Sequence, residues 1–275
     1  MHDILVASDL SVRSDRAMRR AAQLASETGA KLNIVHVVDS AMPPDLAETV
    51  RAQAAKTLQD QLRACCPDAA PDNDIHVVIG DPLEDVIAQA INVAAELIVV
   101  GIHRERHYLD LIKQTTMERL IRASTVPVLL VSQTGKQPYS HILCAIDMSH
   151  AAAQAITMAR RIAPAARLSL FHAYHVPYRR LTDPSDAAAT TIPFRKEAEE
   201  QFAQWAADNA LPADLPAPRF IDASPTVALD QVLAEGTPDL LALGAHSRSN
   251  LGRYMLGGFT STLIRNPPCD LLVAR

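Results

Sequence analysis

Short apolar runs alternate along the chain with longer segments in which apolar residues recur every three or four positions. The longer segments are typical of amphipathic helices, and the short runs are typical of strands buried on both faces. Each half of the chain shows five such runs and four helical segments in alternation. Because strand–helix–strand units place their strands side by side and parallel, the pattern predicts an α/β fold with helices on both faces of each sheet.

The apolar runs of the two halves match one another, which indicates an internal repeat. HDILVASD near the start aligns with SHILCAID in the second half, so that Asp9 corresponds to Asp147. In each copy a serine follows two residues later, and we expect Ser11 and Ser149 to act as helix N-caps. The helices that they would cap are predicted over 15–28 and 151–163.

The repeat continues through the rest of both halves. His36 in LNIVHVVD corresponds to His172 in LSLFHAYH, and LIVVGIH with Gly101 matches LLALGAH with Gly244. The separation is 136 residues for the histidines and 143 for the glycines, so the second copy is longer in its middle. We expect the polar, proline-containing stretch at 176–193 to form a surface loop, either as a lid over a crevice or as a disordered segment.

Two copies of one pattern predict two domains of one kind. We place them at 1–132 and 140–275, with a linker at 133–139 whose Gly, Pro and polar residues mark a boundary. Each is expected to be a doubly wound domain with a five-stranded parallel-type sheet and four helices. In an open sheet of this kind, a ligand binds in the crevice at the carboxyl ends of the strands.

Composition narrows the class of protein. Hydrophobic residues make up 48% and charged residues 21% of the 275 positions, as in an ordinary globular protein. The net charge of −5 gives no electrostatic reason to expect binding to nucleic acid or to an anionic membrane. Four cysteines, with Cys144 inside an apolar strand, and a start without a signal-peptide pattern predict a cytoplasmic protein.

Taken together, these motifs resemble the universal stress protein family. The features that carry the resemblance are the strand–Asp–x–Ser start, the strand ending at His-Val or His-Ala, the Gly-Asp-Pro turn and the Gly-x-His turn before the last helix. Their order and their presence twice identify the chain as similar to a tandem member. The resemblance implies a stress-response protein that binds or regulates and catalyses no reaction. It also implies that the last strands, 127–131 and 269–274, pair within one chain, so that a homodimer is optional.

Nucleotide-binding members of that family carry Gly, two residues, Gly, nine residues, and then Gly followed by Ser or Thr. Glycines let backbone N–H groups approach phosphate, and the helix that follows offers unpaired amides. In the first half Gly101 is present, but Arg104 and Gln114 replace the second and third glycines, although Thr115 keeps the hydroxyl. The first half is therefore expected to bind no nucleotide.

The second half keeps more of the motif. Gly244 and Gly257 are present at the expected spacing, Ser247 replaces the second glycine, and Gly258 replaces the hydroxyl residue. The resemblance therefore implies ATP or another adenine nucleotide as the one candidate cofactor, with the backbone amides from Gly257 onward as phosphate donors. The predicted nucleotide-binding residues are Ala145, Asp147, Ala173, Gly244, His246, Ser247, Gly257, Gly258 and Phe259.

Several polar residues near the strand ends allow two interpretations. Asp9 and Asp147 either contact a nucleobase or ribose, as the resemblance implies, or cap the helices that follow them. His172 and His175 either join Asp147 and His246 around a metal ion or are hydrogen-bonded polar groups at strand ends, and we predict no metal site.

Two groups of basic residues are also open to two interpretations. Arg179 and Arg180 would reach a phosphate if the 176–193 stretch closes as a lid. Arg104, Arg106 and Lys113 either grip an anion or form a solvated loop.

No catalytic motif is present. The chain lacks GxSxG, HExxH and GxxxxGK[ST], so no residue is predicted to be catalytic. The leading hypothesis is a regulatory protein that binds an adenine nucleotide in its second half. The alternative is a protein that binds an apolar small molecule or a protein partner and has no nucleotide site, and a weak ATP hydrolase comes third.

Overall fold

The structure, a computed structural model, describes residues 1–65, 72–102, 111–132, 137–176, 187–245 and 256–275, and the backbone alone for 111–115 and 187–191. Strands and helices alternate through these ranges as predicted. The strands are β1 (Asp3–Ala7), β2 (Lys31–Asp39), β3 (Asn73–Gly80), β4 (Leu97–Gly101), β5 (Val128–Val131), β6 (His141–Ala145), β7 (Arg167–Tyr174), β8 (Arg219–Asp222), β9 (Leu240–Gly244) and β10 (Asp270–Ala274). The helices are α1 (Val12–Thr28), α2 (Pro44–Cys65), α3 (Pro82–Asn92), α4 (Leu111–Ala123), α5 (His150–Ile162), α6 (Ala187–Asp208), α7 (Pro225–Glu235) and α8 (Gly258–Arg265).

The strands of both halves join into one sheet. Their order is β3-β2-β1-β4-β5-β10-β9-β6-β7-β8. Neighbouring strands are parallel within each half, and β5 pairs with β10 antiparallel at the centre, with Leu129 opposite Leu272 and Leu130 opposite Leu271. This pairing confirms the prediction that the last strands meet. Strand order reverses between β1 and β4 and between β6 and β9, which places a crevice in each half.

Helices cover both faces of the sheet, which confirms the predicted α/β architecture. One face packs against α1, α2, α5 and α6, and the other packs against α3, α4, α7 and α8. Side chains that pack on the first face include Ala17, Leu58, Ile156 and Trp205. Those on the second face include Val86, Leu120, Leu229 and Leu263. The central strands are buried on both sides, in keeping with their continuous apolar sequence.

Matching turns start α3 and α7. The Asp81 side chain accepts hydrogen bonds from the amides of Leu83 (2.9 Å) and Glu84 (3.0 Å), and Pro82 fills the first helical position. These two amide bonds lower the pKa of the Asp81 carboxyl. Ser224 and a following proline start α7 in the same way. The Gly-Asp-Pro turn of the repeat is therefore a capping device.

The stretch expected to be a loop at 176–193 is partly helical, so that prediction was wrong over its last residues. α6 begins at Ala187 and contains Pro193. A proline inside a helix removes one backbone hydrogen bond. Three consecutive alanines open this helix, and alanine has the highest helix propensity, which favours helix despite the proline.

A buried polar cluster joins the two halves beside the central strand pair. Asp270, only 1% exposed at the start of β10, accepts hydrogen bonds from the Ser132 amide (2.9 Å) and the Tyr139 hydroxyl (2.8 Å). Its carboxylate also lies 3.5 Å from Nε of Arg20 on α1. The Arg20 guanidinium stacks 4.1 Å above the Tyr139 ring. We call these four residues the junction cluster.

Candidate functional site

The turn after the first strand of each half is built in the same way. Leu10 and Met148 adopt left-handed backbone conformations, with φ of 61° and 58°. Each aspartate then accepts a hydrogen bond from the serine amide two residues on, Asp9 from Ser11 and Asp147 from Ser149, both at 3.0 Å. Asp9 and Asp147 thus hold the turn that leads into α1 and α5, as the capping interpretation expects.

The two serines at these turns behave differently. Ser149 is a full N-cap, because its hydroxyl accepts from the Ala152 amide at 3.1 Å. Ser11 also occupies the N-cap position, but its hydroxyl donates to Asp9 and makes no cap bond. Burial raises the pKa of Asp9, yet the hydrogen bonds from Ser11 and Ser14 and the charge of Arg13 outweigh it, so the pKa is lowered.

His36 and His172 make matching hydrogen bonds at the strand ends. Nδ1 of His36 lies 2.8 Å from the carbonyl of Ser8, and Nδ1 of His172 lies 2.7 Å from the carbonyl of Ile146. A carbonyl only accepts, so Nδ1 carries the proton in both rings. Over the described ranges, no three His, Cys, Asp or Glu side chains are grouped so as to hold a metal ion. Both histidines serve to fix the strand ends.

The first glycine of the phosphate motif is required by packing in both halves. A Cβ on Gly101 would lie 2.2 Å from the carbonyl oxygen of Arg13. A Cβ on Gly244 would lie 2.8 Å from the Ala152 amide nitrogen and 2.9 Å from the Ala151 Cβ. Each glycine lets the start of α1 or α5 pass over the strand end. Its presence therefore carries no information about phosphate binding.

Gly257 and Gly258 stand in a different setting at the start of α8. A Cβ on either would meet no described atom within 4 Å, and Gly257 has an extended conformation open to any residue (φ −62°, ψ 147°). The Gly257 amide donates to the Ala245 carbonyl at 3.3 Å, so the expectation that it is free for phosphate was wrong. The chain turns back over the end of β9 at this point. The amides of Gly258 and Phe259 come first in α8, where helix geometry provides no carbonyl inside the helix for them.

The last helices of the two halves begin at different places. In the repeat Thr115 corresponds to Gly258, the first residue of α8, whereas α4 begins one turn earlier at Leu111. An amide in the second turn of a helix donates to the carbonyl four residues back. The Thr115 amide is therefore used inside α4. The first half lacks free amides at the position where α8 presents them.

Topology brings several of the predicted nucleotide-binding residues together. Ala145 ends β6, Asp147 follows it, and Gly244 ends the neighbouring strand β9. Ala173 lies on β7, on the other side of β6. The hydrogen bond from Gly257 to Ala245 brings the start of α8 to the same edge. Six of the residues singled out from the sequence lie outside the described residues: His246, Ser247, Arg104, Arg106, Arg179 and Arg180.

The first half holds a cavity of about 470 Å³ at the carboxyl ends of β1, β2 and β4. Val35, Val100, Val86 and Met117 are among the apolar residues that line it, and Asp9, Arg13 and His36 lie at its polar side. Ile264 and Arg265 of α8 close one wall, so the second half completes a cavity of the first. The sequence did not indicate this wall, because it depends on how the halves meet.

The comparisons with known proteins point one way. The sequence profile of the "Universal stress protein family" matches residues 1–132 and 138–275. "Universal stress protein A homolog 1" of Coxiella burnetii is 30% identical over 46% of this chain and 94% of its own length. "Stress response protein NhaX" of Bacillus subtilis is 26% identical over 46% of this chain and 96% of its own.

Two solved structures share the fold over nearly the whole chain. A universal stress protein from Archaeoglobus fulgidus aligns with a TM-score of 0.73 at 16% identity, covering 99% of this chain and 98% of its own. Protein PA1789 of Pseudomonas aeruginosa, described as functionally unknown, aligns with a TM-score of 0.63 at 17% identity, covering 100% and 92%. At these identities the likeness concerns the fold.

Among the described helices, none has the length and apolar character needed to cross a bilayer. Two successive matches to one family profile cover nearly all of the sequence, and both halves show the same fold. The chain belongs to the universal stress protein family, as a tandem of two such domains.

Proposed function

We propose that this chain is a non-enzymatic, cytoplasmic stress-response protein that binds ATP or another adenine nucleotide in its second half. The observation that carries the proposal is the start of α8. Gly257 and Gly258 leave open space there, and no contact among the described residues requires glycine at either position. The amides of Gly258 and Phe259, which have no acceptor inside α8, and the positive end of the helix dipole favour a phosphate.

The neighbouring strand ends supply the rest of the proposed site. The base would lie near Ala145, Asp147 and Ala173, whose small or acidic side chains stand at adjacent strand ends. The phosphates would lie over Gly244, Ser247 and the start of α8. Oδ1 of Asp147 accepts from the Ser149 amide, and its other oxygen is the one we assign to the ligand.

The first half is proposed to bind no nucleotide. At its matching position the amide of Thr115 is used inside α4, and the third glycine of the motif is replaced by Gln114. Isothermal titration of the full chain with ATP should therefore find at most one nucleotide per chain. Two equal sites would contradict this part of the proposal.

The sharpest test is Gly257→Leu with Gln114→Leu as its matched control, because the two positions correspond in the repeat. A Cβ at Gly257 would meet no described atom within 4 Å, so we expect Gly257→Leu to fold while its side chain obstructs the phosphates. Titration with a fluorescent N-methylanthraniloyl ATP should show affinity lowered about tenfold or more in Gly257→Leu. Gln114→Leu and Arg104→Gly should match the parent protein.

Circular dichroism confirms that each variant is folded, and phosphate release on the same samples separates binding from hydrolysis. A parent chain without saturable binding at millimolar ATP would overturn the nucleotide proposal. A protein partner or another small molecule would then be the ligand of the second half. Steady phosphate release that Gly257→Leu abolishes would instead indicate an ATP hydrolase.

A further inference from the structure

The cavity of the first half is distinct from the proposed nucleotide site and needs its own explanation. Its volume of about 470 Å³ falls within the range of roughly 300–1,000 Å³ that is usual for small-molecule pockets. It lies at the carboxyl ends of β1, β2 and β4, where an open sheet binds ligands. At the described position that corresponds to the start of α8, the Thr115 amide is used inside α4.

The room in this cavity comes from small side chains on its floor. Val35 on β2 and Val100 on β4 line it, whereas the matching residues of the second half are Phe171 and Leu243. Phe171 is 2% exposed and packs on the face that carries α7 and α8. Because phenylalanine and leucine are larger than valine, we expect less open space at the corresponding place of the second half. The two crevices are therefore suited to different ligands.

Both described arginines that line the cavity are paired with carboxylates. Arg13 pairs with Asp9 at 3.4 Å, and Arg265 of the second half pairs with the buried Glu118 of α4 at 3.3 Å. Glu118 is shared with Arg122, which lies 3.4 Å away. Most of the remaining lining is aliphatic, and its polar residues are Ser8, Ser14, His36 and Thr116.

We propose that this cavity binds an uncharged, mainly apolar small molecule, enclosed between the first half and the end of α8. The ligand packs on the valine floor and against Met117 and Leu83, and Ile264 of the second half covers it. Burial of apolar surface supplies the affinity. This site is independent of nucleotide binding, so either proposal can fail without the other.

The test uses the fluorescence of N-phenyl-1-naphthylamine, an uncharged aromatic amine, titrated into the full chain. We expect saturable binding at one site per chain. Its sulfonated relative 1-anilinonaphthalene-8-sulfonate should bind at least about tenfold more weakly, since the arginines that line the cavity in the described part of the chain are already paired with carboxylates. Equal affinity for the two probes would overturn the assignment of an uncharged ligand.

Variants locate the probe. The double change Val35→Phe with Val100→Leu gives the cavity the floor of the second half, and it should lower affinity for the uncharged probe about tenfold or more. Ile264→Ala, which removes part of the covering wall from the other half, should also weaken binding. The matched control Ala173→Val gives the second crevice the valine found at the corresponding position of the first, and it should leave the affinity unchanged.

Each result decides the proposal. If affinity is unchanged in both Ile264→Ala and a folded double variant, the probe binds elsewhere and the proposal is overturned. If the double variant does not fold, the result for Ile264→Ala decides. Displacement of the probe by millimolar ATP in the Gly257→Leu background would show that the first-half cavity takes nucleotide, which also overturns it. If the parent chain shows no saturable binding of the uncharged probe, the proposal is also overturned.

Discussion

Glycines at different positions of the phosphate motif have different physical roles in this protein. Gly101 and Gly244 are needed because a helix start passes within van der Waals contact of the strand end. Gly257 and Gly258 face open space and have no such requirement among the described residues. The sequence alone does not distinguish these two roles, because the residue is glycine in both cases. The contacts that a Cβ would make at each position separate them.

Gly101→Ala tests this distinction, with Gly258→Ala as its control. The new Cβ would lie 2.2 Å from a backbone oxygen, which no side-chain rotation relieves. We expect a loss of about 2 kcal/mol or more in the free energy of unfolding, measured by urea denaturation. Gly258→Ala should be neutral or stabilising by about 0.5–1 kcal/mol, because alanine favours helix. Equal stability of the two variants would refute the packing argument.

The order of secondary-structure elements matches between the two halves more closely than the hydrogen bonds at the helix ends do. α1 and α5 begin after matching turns, yet only α5 has a serine hydroxyl that accepts from a helix amide. α4 and α8 match over their last turns, yet α4 begins a full turn earlier. These terminal differences alter which backbone amides are free, and therefore what each half can bind.

The pair Ser149→Ala and Ser11→Ala tests the difference between the first helices. Ser149→Ala should cost about 1 kcal/mol of unfolding free energy, because the Ala152 amide loses its acceptor. Ser11→Ala should cost clearly less, because the Ser11 hydroxyl makes no cap bond. Thermal or urea denaturation of the two variants measures the difference. A larger loss for Ser11→Ala would show that its bond to Asp9 matters more than the cap.

The local sequence pattern was sufficient to predict the strands and helices, but it did not predict the residues that complete the two sites. Strand and helix periodicity and the repeat predicted the α/β fold, and the family resemblance implied the meeting of β5 with β10; the structure confirms both. The helical part of the 176–193 stretch was missed, because a proline weighed against it. The crevice at the strand ends was expected, but the wall that Ile264 adds from the other half was missed, because contacts between distant segments leave no local pattern.

The whole molecule is held at its centre by the β5–β10 pair and the junction cluster of Arg20, Ser132, Tyr139 and Asp270. Asp270 is buried and carries a charge, so its hydrogen bonds to the Ser132 amide and the Tyr139 hydroxyl are needed to offset lost hydration. Burial and the charge of Asp270 raise the pKa of Tyr139 well above its usual value of 10.0, against the opposing effect of Arg20.

Tyr139→Phe should therefore have a pH-dependent effect on stability. Near pH 7 it should cost about 1–3 kcal/mol, because Asp270 loses a buried donor. Above pH 10 the unfolded chain loses the tyrosine proton while the folded chain keeps it, so this contribution to stability falls as pH rises. The difference between parent and variant should narrow over that range. Urea denaturation at pH 7, 9 and 11 measures it, and a constant difference would contradict the assignment.

The position of α8 constrains how the two halves can change over time. Its first residues lie at the crevice of the second half, and its last residues, Ile264 and Arg265, close the cavity of the first. A substitution that lengthens, shortens or rotates this eight-residue helix acts on both places at once. Fused copies of a duplicated domain are ordinarily free to diverge separately. Here a substitution in the shared helix that alters one crevice also alters the wall of the other, so we expect changes at α8 to be coupled between the two halves.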